Sequence, residues 1–228
     1  MLDWPDIDTV LLDMDGTLLD LRYDNHFWLE HLPRRYAEHK GLSLEAAHAE
    51  LQQAYQQLQG SLNWYCLDYW RQRLQLPLLE LKAETAHQIR LRPDALPLLQ
   101  ALRASGRPLI LLTNAHPDAI RLKFQHTGLG QHLDQVLSTH SFGAPKEEQR
   151  LWQQVHAQLA FDPAHTLLID DNEAVLKAAR QAGIRHLLAV ANPDSDRPAR
   201  LLPGFINTSN FIELLPAIHQ PRRTRTAD

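Results

Sequence analysis

The stretch Asp13-Met14-Asp15-Gly16-Thr17 decides the fold of this chain of 228 residues. It directly follows the apolar run Val10 to Leu12, so two carboxylic acids emerge where a buried strand gives way to glycine. Aspartate is also common in ordinary turns and helix caps after a strand. Taken alone, the stretch therefore leaves two interpretations open, a turn or a reactive site at the end of a strand.

A second acidic pair, Asp170-Asp171, follows the apolar run Leu167 to Ile169 in the same way. In a parallel α/β sheet, ligands bind beyond the carboxyl ends of the strands, so the two pairs should meet at one edge. Carboxylates crowded there require protons or a cation to offset their repulsion. Mg²⁺ prefers oxygen ligands and binds substrate phosphate, which makes it the expected cofactor.

Short apolar runs recur along the chain and are typical of strands buried on both faces. Helical patterns follow the later runs, over Pro117 to Thr127, Glu147 to Leu159 and Glu173 to Ala182. This alternation predicts an α/β fold with a parallel five-stranded sheet and helices on both sides. The five runs are Val10 to Leu12, Leu109 to Leu112, Val136 to Leu137, Leu167 to Ile169 and Leu187 to Val190.

The interval between the first two runs holds roughly 90 residues, where a plain crossover needs about 10 to 15. Within it, apolar residues from Leu44 to Leu58 recur at steps of three and four after Ser43, a helix-capping residue. A second helical stretch, Leu62 to Leu74, ends before Pro77. We therefore expect a helical cap domain over residues 21–92, inserted into a catalytic core formed by residues 1–20 and 93–228. A crossover helix over Pro93 to Ala104 would return the chain to the sheet.

The composition narrows the choice of partners. A net charge of −4, from 23 basic and 27 acidic residues, argues against a nucleic-acid polymer as a partner.

The single cysteine, Cys66, bears on the cellular location. It excludes an internal disulfide and is typical of a reducing compartment, so we expect a cytoplasmic location. The apolar runs are too short to cross a membrane, and no secretion signal is recognisable. Near the C-terminus, Arg222, Arg223 and Arg225 lie among Pro and Thr and predict a frayed tail.

Two further sets of residues are candidates for binding phosphate. Thr113 and Asn114 end the second run, and their hydroxyl and amide groups can donate to phosphoryl oxygens. Lys146, just before the helix after the third run, can supply a positive charge. The alternatives are a turn or helix cap for Thr113 and Asn114, and a solvated side chain for Lys146.

The ordered set of D-x-D-G-T, a strand-end Thr, a Lys and a D-D pair resembles the four motifs of the haloacid dehalogenase-like hydrolases, from about residue 9 to about residue 191. The resemblance implies a Rossmann-like sheet in the order 3-2-1-4-5. It also implies that Asp13 attacks phosphorus to form an aspartyl phosphate, while Asp15 protonates the leaving oxygen and later deprotonates water. Thr113 and amides near Asn114 would hold the phosphoryl group, and Lys146 would offset its charge.

The resemblance further implies that Mg²⁺ is held by the Asp13 carboxylate, the Asp15 backbone carbonyl and one acid of the second pair. We favour Asp171 as the direct ligand, with Asp170 acting through water or orienting Lys146; the sequence leaves their roles open. Dehalogenases of this family lack the second motif acid, so Asp15 favours phosphoryl transfer.

Segments such as Asn63 to Trp70 and Leu112 to Pro117 look like those of bacterial GMP/IMP nucleotidases. That similarity implies a small phosphomonoester substrate, a purine 5′-mononucleotide, hydrolysed to nucleoside and phosphate. Polar candidates for reading the base or ribose and aromatic candidates for stacking on it are Asn25, Asn63, His116, Trp28 and Trp64. For each of these, a turn, a cap or core packing is the alternative role.

Two other functions remain as alternatives. One is a phosphatase of another small metabolite, such as phosphoglycolate or a sugar phosphate. The other is a non-catalytic nucleotide-binding protein that keeps the fold. The presence of both Asp13 and Asp15 favours catalysis, because a degenerate binder has little reason to retain them.

Overall fold

A six-stranded parallel sheet in the order β3-β2-β1-β4-β5-β6 forms the centre of the molecule, in a computed structural model that describes residues 2–220 and 223. All five predicted runs form strands, and the predicted order of the first five is confirmed. Of the predicted frayed tail, Arg222 and Arg225 lie outside the described residues, whereas Arg223 N donates to Pro5 O at 2.8 Å and Arg223 Nη2 lies 2.9 Å from Asp3 Oδ2. The strands are β1 (Thr9–Leu12), β2 (Leu109–Thr113), β3 (Gln135–Ser138), β4 (Thr166–Asp170), β5 (His186–Val190) and β6 (Ile206–Thr208).

The sixth strand was absent from the prediction of five strands. Ile206–Thr208 has only three residues and pairs with β5 at the sheet edge, with Ile206 beside Leu188. A strand on the sheet edge needs no continuous apolar run, and Ile206 is 38% exposed. The hydrophobic pattern that identifies the buried strands is therefore missing here.

Strand β1 lies at the centre and sends alternate side chains into two apolar layers. Val10 and Leu12 pack on one side of the sheet with Leu98 of helix α7 (Ala95–Ala104). Leu11 packs on the other side with Leu151 of helix α9 (Gln149–Leu159). Because both faces of β1 are covered, its carboxyl end is fixed in position before the chain turns at Gly16.

The remaining helices outside the inserted segment (residues 21–92) are close to their predicted bounds. The crossover helix begins at Ala95, two residues later than predicted, and the helix after β3 begins at Gln149 instead of Glu147. Helix ends of this kind shift by one or two residues with the choice of boundary. The other predicted helices are α8 (Pro117–Thr127) and α10 (Glu173–Gln181), and a short helix that was not predicted, α11 (Leu215–Ile218), follows β6.

The inserted segment is helical and has an apolar cluster that includes Phe27, Leu51 and Trp70. The predicted helix at Leu44–Leu58 is confirmed, and Ser43 Oγ accepts a hydrogen bond from Ala46 N at 3.2 Å. The second predicted helix is broken at Cys66. The α-helices are α1 (Arg22–His26), α2 (Leu32–Lys40), α3 (Leu44–Leu58), α4 (Leu62–Tyr65), α5 (Leu67–Leu74) and α6 (Leu78–Glu84), with a π-helical turn, Phe27–His31, between α1 and α2.

The chain leaves and re-enters the sheet region through two adjacent segments. Asp20 N donates to Arg90 O at 3.1 Å, and Arg92 N donates to Leu18 O at 3.0 Å. These bonds hold the two ends of the inserted segment side by side, directly after the D-x-D-G-T turn. The domain boundaries at residues 20/21 and 92/93 stay a prediction.

Among the described residues, none of the helices combines the length and apolarity needed to cross a bilayer.

Candidate active site

A cavity of about 310 Å³ opens at the carboxyl ends of β1, β2 and β4 and extends to the inserted segment. Of the predicted site residues, Asn63 alone is not part of its lining, and Asn63 is exposed on α4. The fold thus brings together residues that are far apart in the sequence. The predicted residues that line the cavity are Asp13, Asp15, Asn25, Trp28, Trp64, Thr113, Asn114, His116, Lys146, Asp170 and Asp171.

Asp13 lies at the end of β1 with its carboxylate almost fully buried. Its backbone N donates to Ile169 O at 3.0 Å, and Oδ1 lies 2.5 Å from Lys146 Nζ. The other oxygen, Oδ2, is buried and has no hydrogen-bond partner among the described residues. Burial raises the pKa of Asp13 to about 6, although Lys146 opposes this shift. The side chain thus offers one oriented, unpaired oxygen to the cavity.

Lys146 is buried and lies between two carboxylates. Its Nζ is 2.6 Å from Asp170 Oδ2 as well as 2.5 Å from Asp13 Oδ1. Burial lowers the pKa of Lys146, but the attraction of these carboxylates outweighs it, and the net shift is upward. The ammonium therefore stays charged and holds the ends of β1 and β4 together.

Asp13, Asp170 and Asp171 each offer one oxygen, and these oxygens lie within 4.8 Å of one another. Asp170 uses Oδ2 for Lys146 and Oδ1 to accept from Asn172 N at 2.9 Å, which leaves Asp171 less engaged. Burial raises the pKa of Asp171 well above its ordinary value, and Asp170 and Asp13 add to the shift. A cluster of oxygen atoms from three acidic side chains fits a hard divalent cation such as Mg²⁺.

Gly16 allows this cluster to form. Its φ of +87° is a left-handed conformation, and an added Cβ would lie 2.7 Å from the Asp171 carboxylate. The turn after β1 therefore approaches the end of β4 more closely than any side chain at this position permits.

Asp15 faces a buried chain of charges that sequence reasoning missed. Asp15 Oδ1 is 2.7 Å from Lys123 Nζ, which is also 2.7 Å from Asp24 Oδ2. Asp24 Oδ1 is in turn 3.0 Å from Lys82 Nζ. Lys123 could have been noticed, because a lysine that shares the apolar face of α8 with Ala119 and Ile120 is unusual.

These neighbours set the ionisation of the acids. Burial raises the pKa of Asp15 to about 6, with Lys123 opposing and Asp24 and Asp13 adding to the shift. Burial alone would also raise the pKa of Asp24. The ammonium groups of Lys123 and Lys82 outweigh this effect and lower the pKa of Asp24 to about 2. Asp24 is therefore a permanent anion between two cations, while Asp15 is able to exchange a proton near neutral pH.

Both polar atoms of the Asn114 side chain are bonded to protein groups. Its Oδ1 accepts from Lys146 N at 2.9 Å, and its Nδ2 donates to Glu147 Oε2 at 2.9 Å. Glu147 Oε1 accepts from Tyr65 OH at 2.7 Å, so a hydrogen-bonded chain runs from β2 to α4. Thr113 Oγ1 accepts from Ala115 N at 3.1 Å and lines the cavity, where its hydroxyl proton is left for another acceptor.

The candidates for contact with the base or ribose that line the cavity are Asn25, Trp28, Trp64 and His116. The rings of Trp28 and Trp64 are stacked, with centroids 6.3 Å apart. Asn25 Nδ2 donates to Asp194 Oδ2 at 2.5 Å, and His116 Nδ1 accepts from Asp118 N at 3.3 Å at the start of α8. Each residue therefore has a structural partner and also lines the cavity.

The chain is similar to one family of hydrolases and to several named proteins. A family model described as haloacid dehalogenase-like hydrolase matches residues 7–183. The chain is 46% identical over 215 residues to the GMP/IMP nucleotidase YrfG of Escherichia coli (strain K12), covering 94% of this chain and 97% of that protein. It is 33% identical over 96 residues to a phosphoserine phosphatase of Thermus thermophilus, covering 42% of this chain and 39% of the relative.

Solved structures share the fold. A HAD phosphatase from Thermococcus onnurineus superimposes with a TM-score of 0.77 at 22% identity, covering 95% of this chain and all (100%) of that one. An L-2-haloacid dehalogenase superimposes with a TM-score of 0.62 at 20% identity, covering 93% and 99% of the two chains. At these identities the likeness concerns the fold alone, so the reaction must be argued from the site residues.

Proposed function

The chain belongs to the haloacid dehalogenase-like hydrolases and is a phosphomonoester hydrolase, and we propose that it is a Mg²⁺-dependent nucleotidase that hydrolyses GMP and IMP. The observation that carries the chemistry is the unpaired Oδ2 of Asp13, which lies beside a buried lysine and two further carboxylates. The substrate is inferred from the 46%-identical relative named GMP/IMP nucleotidase.

In the first step, Asp13 Oδ2 attacks phosphorus, and the bond from phosphorus to the nucleoside oxygen breaks. Lys146 holds Asp13 Oδ1, so the free oxygen keeps one direction, as in-line attack requires. Asp15 gives its proton to the leaving oxygen. A pKa near 6 suits this role, because the group is partly protonated at neutral pH and is also able to take a proton back.

In the second step, water attacks phosphorus and releases Asp13 as a free carboxylate. Asp15 accepts the proton from that water. Thr113 donates its hydroxyl to the phosphoryl group, and Lys146 offsets its negative charge. Transfer is thus completed by residues from the carboxyl ends of the strands and the loops that follow them.

We assign the cation to the carboxylates of Asp13 and Asp171 and to the backbone carbonyl of Asp15. When bound, Mg²⁺ neutralises the charge of the carboxylates and of the transferring phosphoryl group. Asp170 orients Lys146 in this assignment, because both of its oxygens already accept hydrogen bonds from protein groups.

The inserted segment supplies the part of the cavity that would hold the base. Trp28 and Trp64 offer aromatic surface, and a flat purine is able to stack on such rings. Tyr65 and Asn114 also line the cavity, and Glu147 accepts a hydrogen bond from each of them. The expected cytoplasmic location stays a prediction, supported by the single cysteine, Cys66.

The proposal is tested by phosphate release from GMP, IMP, AMP, phosphoglycolate and a sugar phosphate, each with Mg²⁺ and with a chelator. We expect metal-dependent release mainly from GMP and IMP. Preferential release from another compound would retain the Asp13 chemistry and reject the nucleotide assignment. No release from any compound would favour a binding protein.

A further inference from the structure

A second group of metal-ligating side chains lies apart from the carboxylate cluster and plays no part in the proposed reaction. Ligand atoms of Cys66, His116 and His140 lie within 4.8 Å of one another. The rings of His116 and His140 meet edge to face, with centroids 5.1 Å apart. We propose that this Cys66–His116–His140 cluster is a binding site for a transition-metal ion of the Zn²⁺ class.

The donor set separates this site from the carboxylate cluster. One thiol sulfur and two imidazole nitrogens suit Zn²⁺, whereas Mg²⁺ is bound by oxygen. Three protein ligands leave a fourth position open for water or a carboxylate. Asp68 Oδ2 lies 3.4 Å from His116 Nε2 and offers a carboxylate for this fourth position.

The environment of His140 points to a ligand. Its Nε2 is buried and has no hydrogen-bond partner among the described residues, an arrangement that is unfavourable unless an ion or water binds there.

Backbone contacts hold the three ligands in place. His140 N donates to Ser138 Oγ at 3.3 Å, and His116 is fixed at the start of α8 by Asp118 N. Cys66 caps α5, with Sγ accepting from Tyr69 N at 3.5 Å. A bound ion would therefore tie the α4–α5 junction of the inserted segment to two loops at the carboxyl ends of β2 and β3.

The site is tested by titrating the full-length protein with Co²⁺, a spectroscopic substitute for Zn²⁺. Since Cys66 is the only cysteine, the near-ultraviolet absorption of a cobalt–thiolate bond reports this cluster and not the carboxylates. Cys66→Ser keeps an acceptor for Tyr69 N and should lose the band. His140→Gln should weaken binding by more than about tenfold, because loss of even an outer-shell partner costs about 10- to 100-fold. His48→Gln, on the exposed face of α3, is the matched control and should behave as the wild type.

Co²⁺ binding by the wild type without thiolate absorption would overturn the proposal, as would a His140→Gln titration equal to that of the wild type. Neither readout depends on turnover, so the test stands apart from the nucleotidase proposal.

Discussion

At the residue scale, the site depends on buried charges that hold one another in place. Lys82 and Lys123 are each only 1% exposed, and Asp24 lies between their ammonium groups. The same chain of charges reaches Asp15, the proposed acid and base. Asp24 and Lys82 come from the inserted segment and Lys123 from α8, so the contacts depend on the tertiary fold. The motif carboxylates are recognisable from their positions after strands, whereas this chain of charges is not.

Asp24→Asn should destabilise the protein by about 3 to 5 kcal/mol at neutral pH, because it leaves two buried ammonium groups without their shared anion. The pKa of Asp24 is lowered from 3.8 to about 2, so its contribution is fully present above pH 3.8 and is lost as the pH falls through 2. The difference in unfolding free energy between the two proteins should therefore shrink below about pH 4. Denaturant unfolding at several pH values measures it, and a difference that does not change with pH would contradict the assignment.

At the element scale, the turns after the strands and one short helix determine the shape of the site. Gly16 makes the turn after β1 in a left-handed conformation against Asp171. Helix α4 brings Tyr65 to Glu147 and thereby to the end of β2. The turn was predictable from the glycine in the motif. The contact between α4 and Glu147 was not predictable, because no periodic pattern in the sequence specifies which loop a short helix contacts.

Gly16→Ala should raise the Mg²⁺ concentration needed for half-maximal turnover by about tenfold or more, since its Cβ would displace the Asp171 carboxylate. Gly41→Ala is the matched control, with a φ of +66° and no neighbouring atom within 4 Å. Both substitutions strain the backbone by roughly 1–2 kcal/mol. A Mg²⁺ titration of turnover that shifts equally in both variants would show that strain, and not the contact with Asp171, is responsible.

Tyr65→Phe should lower kcat/KM for GMP by about tenfold, because it removes the hydrogen bond that orients Glu147, which in turn holds the cavity residue Asn114. Tyr55→Phe removes a comparable buried bond, from Tyr55 OH to Trp28 O at 3.0 Å, away from Glu147. Steady-state kinetics of both variants should separate them. Equal losses would mean that the effect comes from the packing of the inserted segment.

At the scale of the whole molecule, the sequence pattern allowed the parallel sheet and the helical insertion to be predicted, and the family resemblance supplied the strand order. Continuous apolar runs such as those of β2 and β4 identify strands that are covered on both faces. The edge strand at Ile206–Thr208 lacks that signal, and the break at Cys66 lies inside a stretch whose apolar spacing continues on both sides. Prediction thus succeeded where burial imposes a pattern and failed where local geometry or partial exposure removes it.

The central claim is that Asp13 is the nucleophile of a nucleotide phosphatase. Its most direct test is phosphate release from GMP with Mg²⁺ by the wild type and by Asp13→Asn, together with thermal unfolding of both. The variant keeps the side-chain volume and loses the attacking oxygen, so we predict a rate at least roughly 10⁴-fold lower from a protein that remains folded. Turnover by folded Asp13→Asn within about tenfold of the wild type would contradict the account, because losing a true nucleophile has a far larger effect.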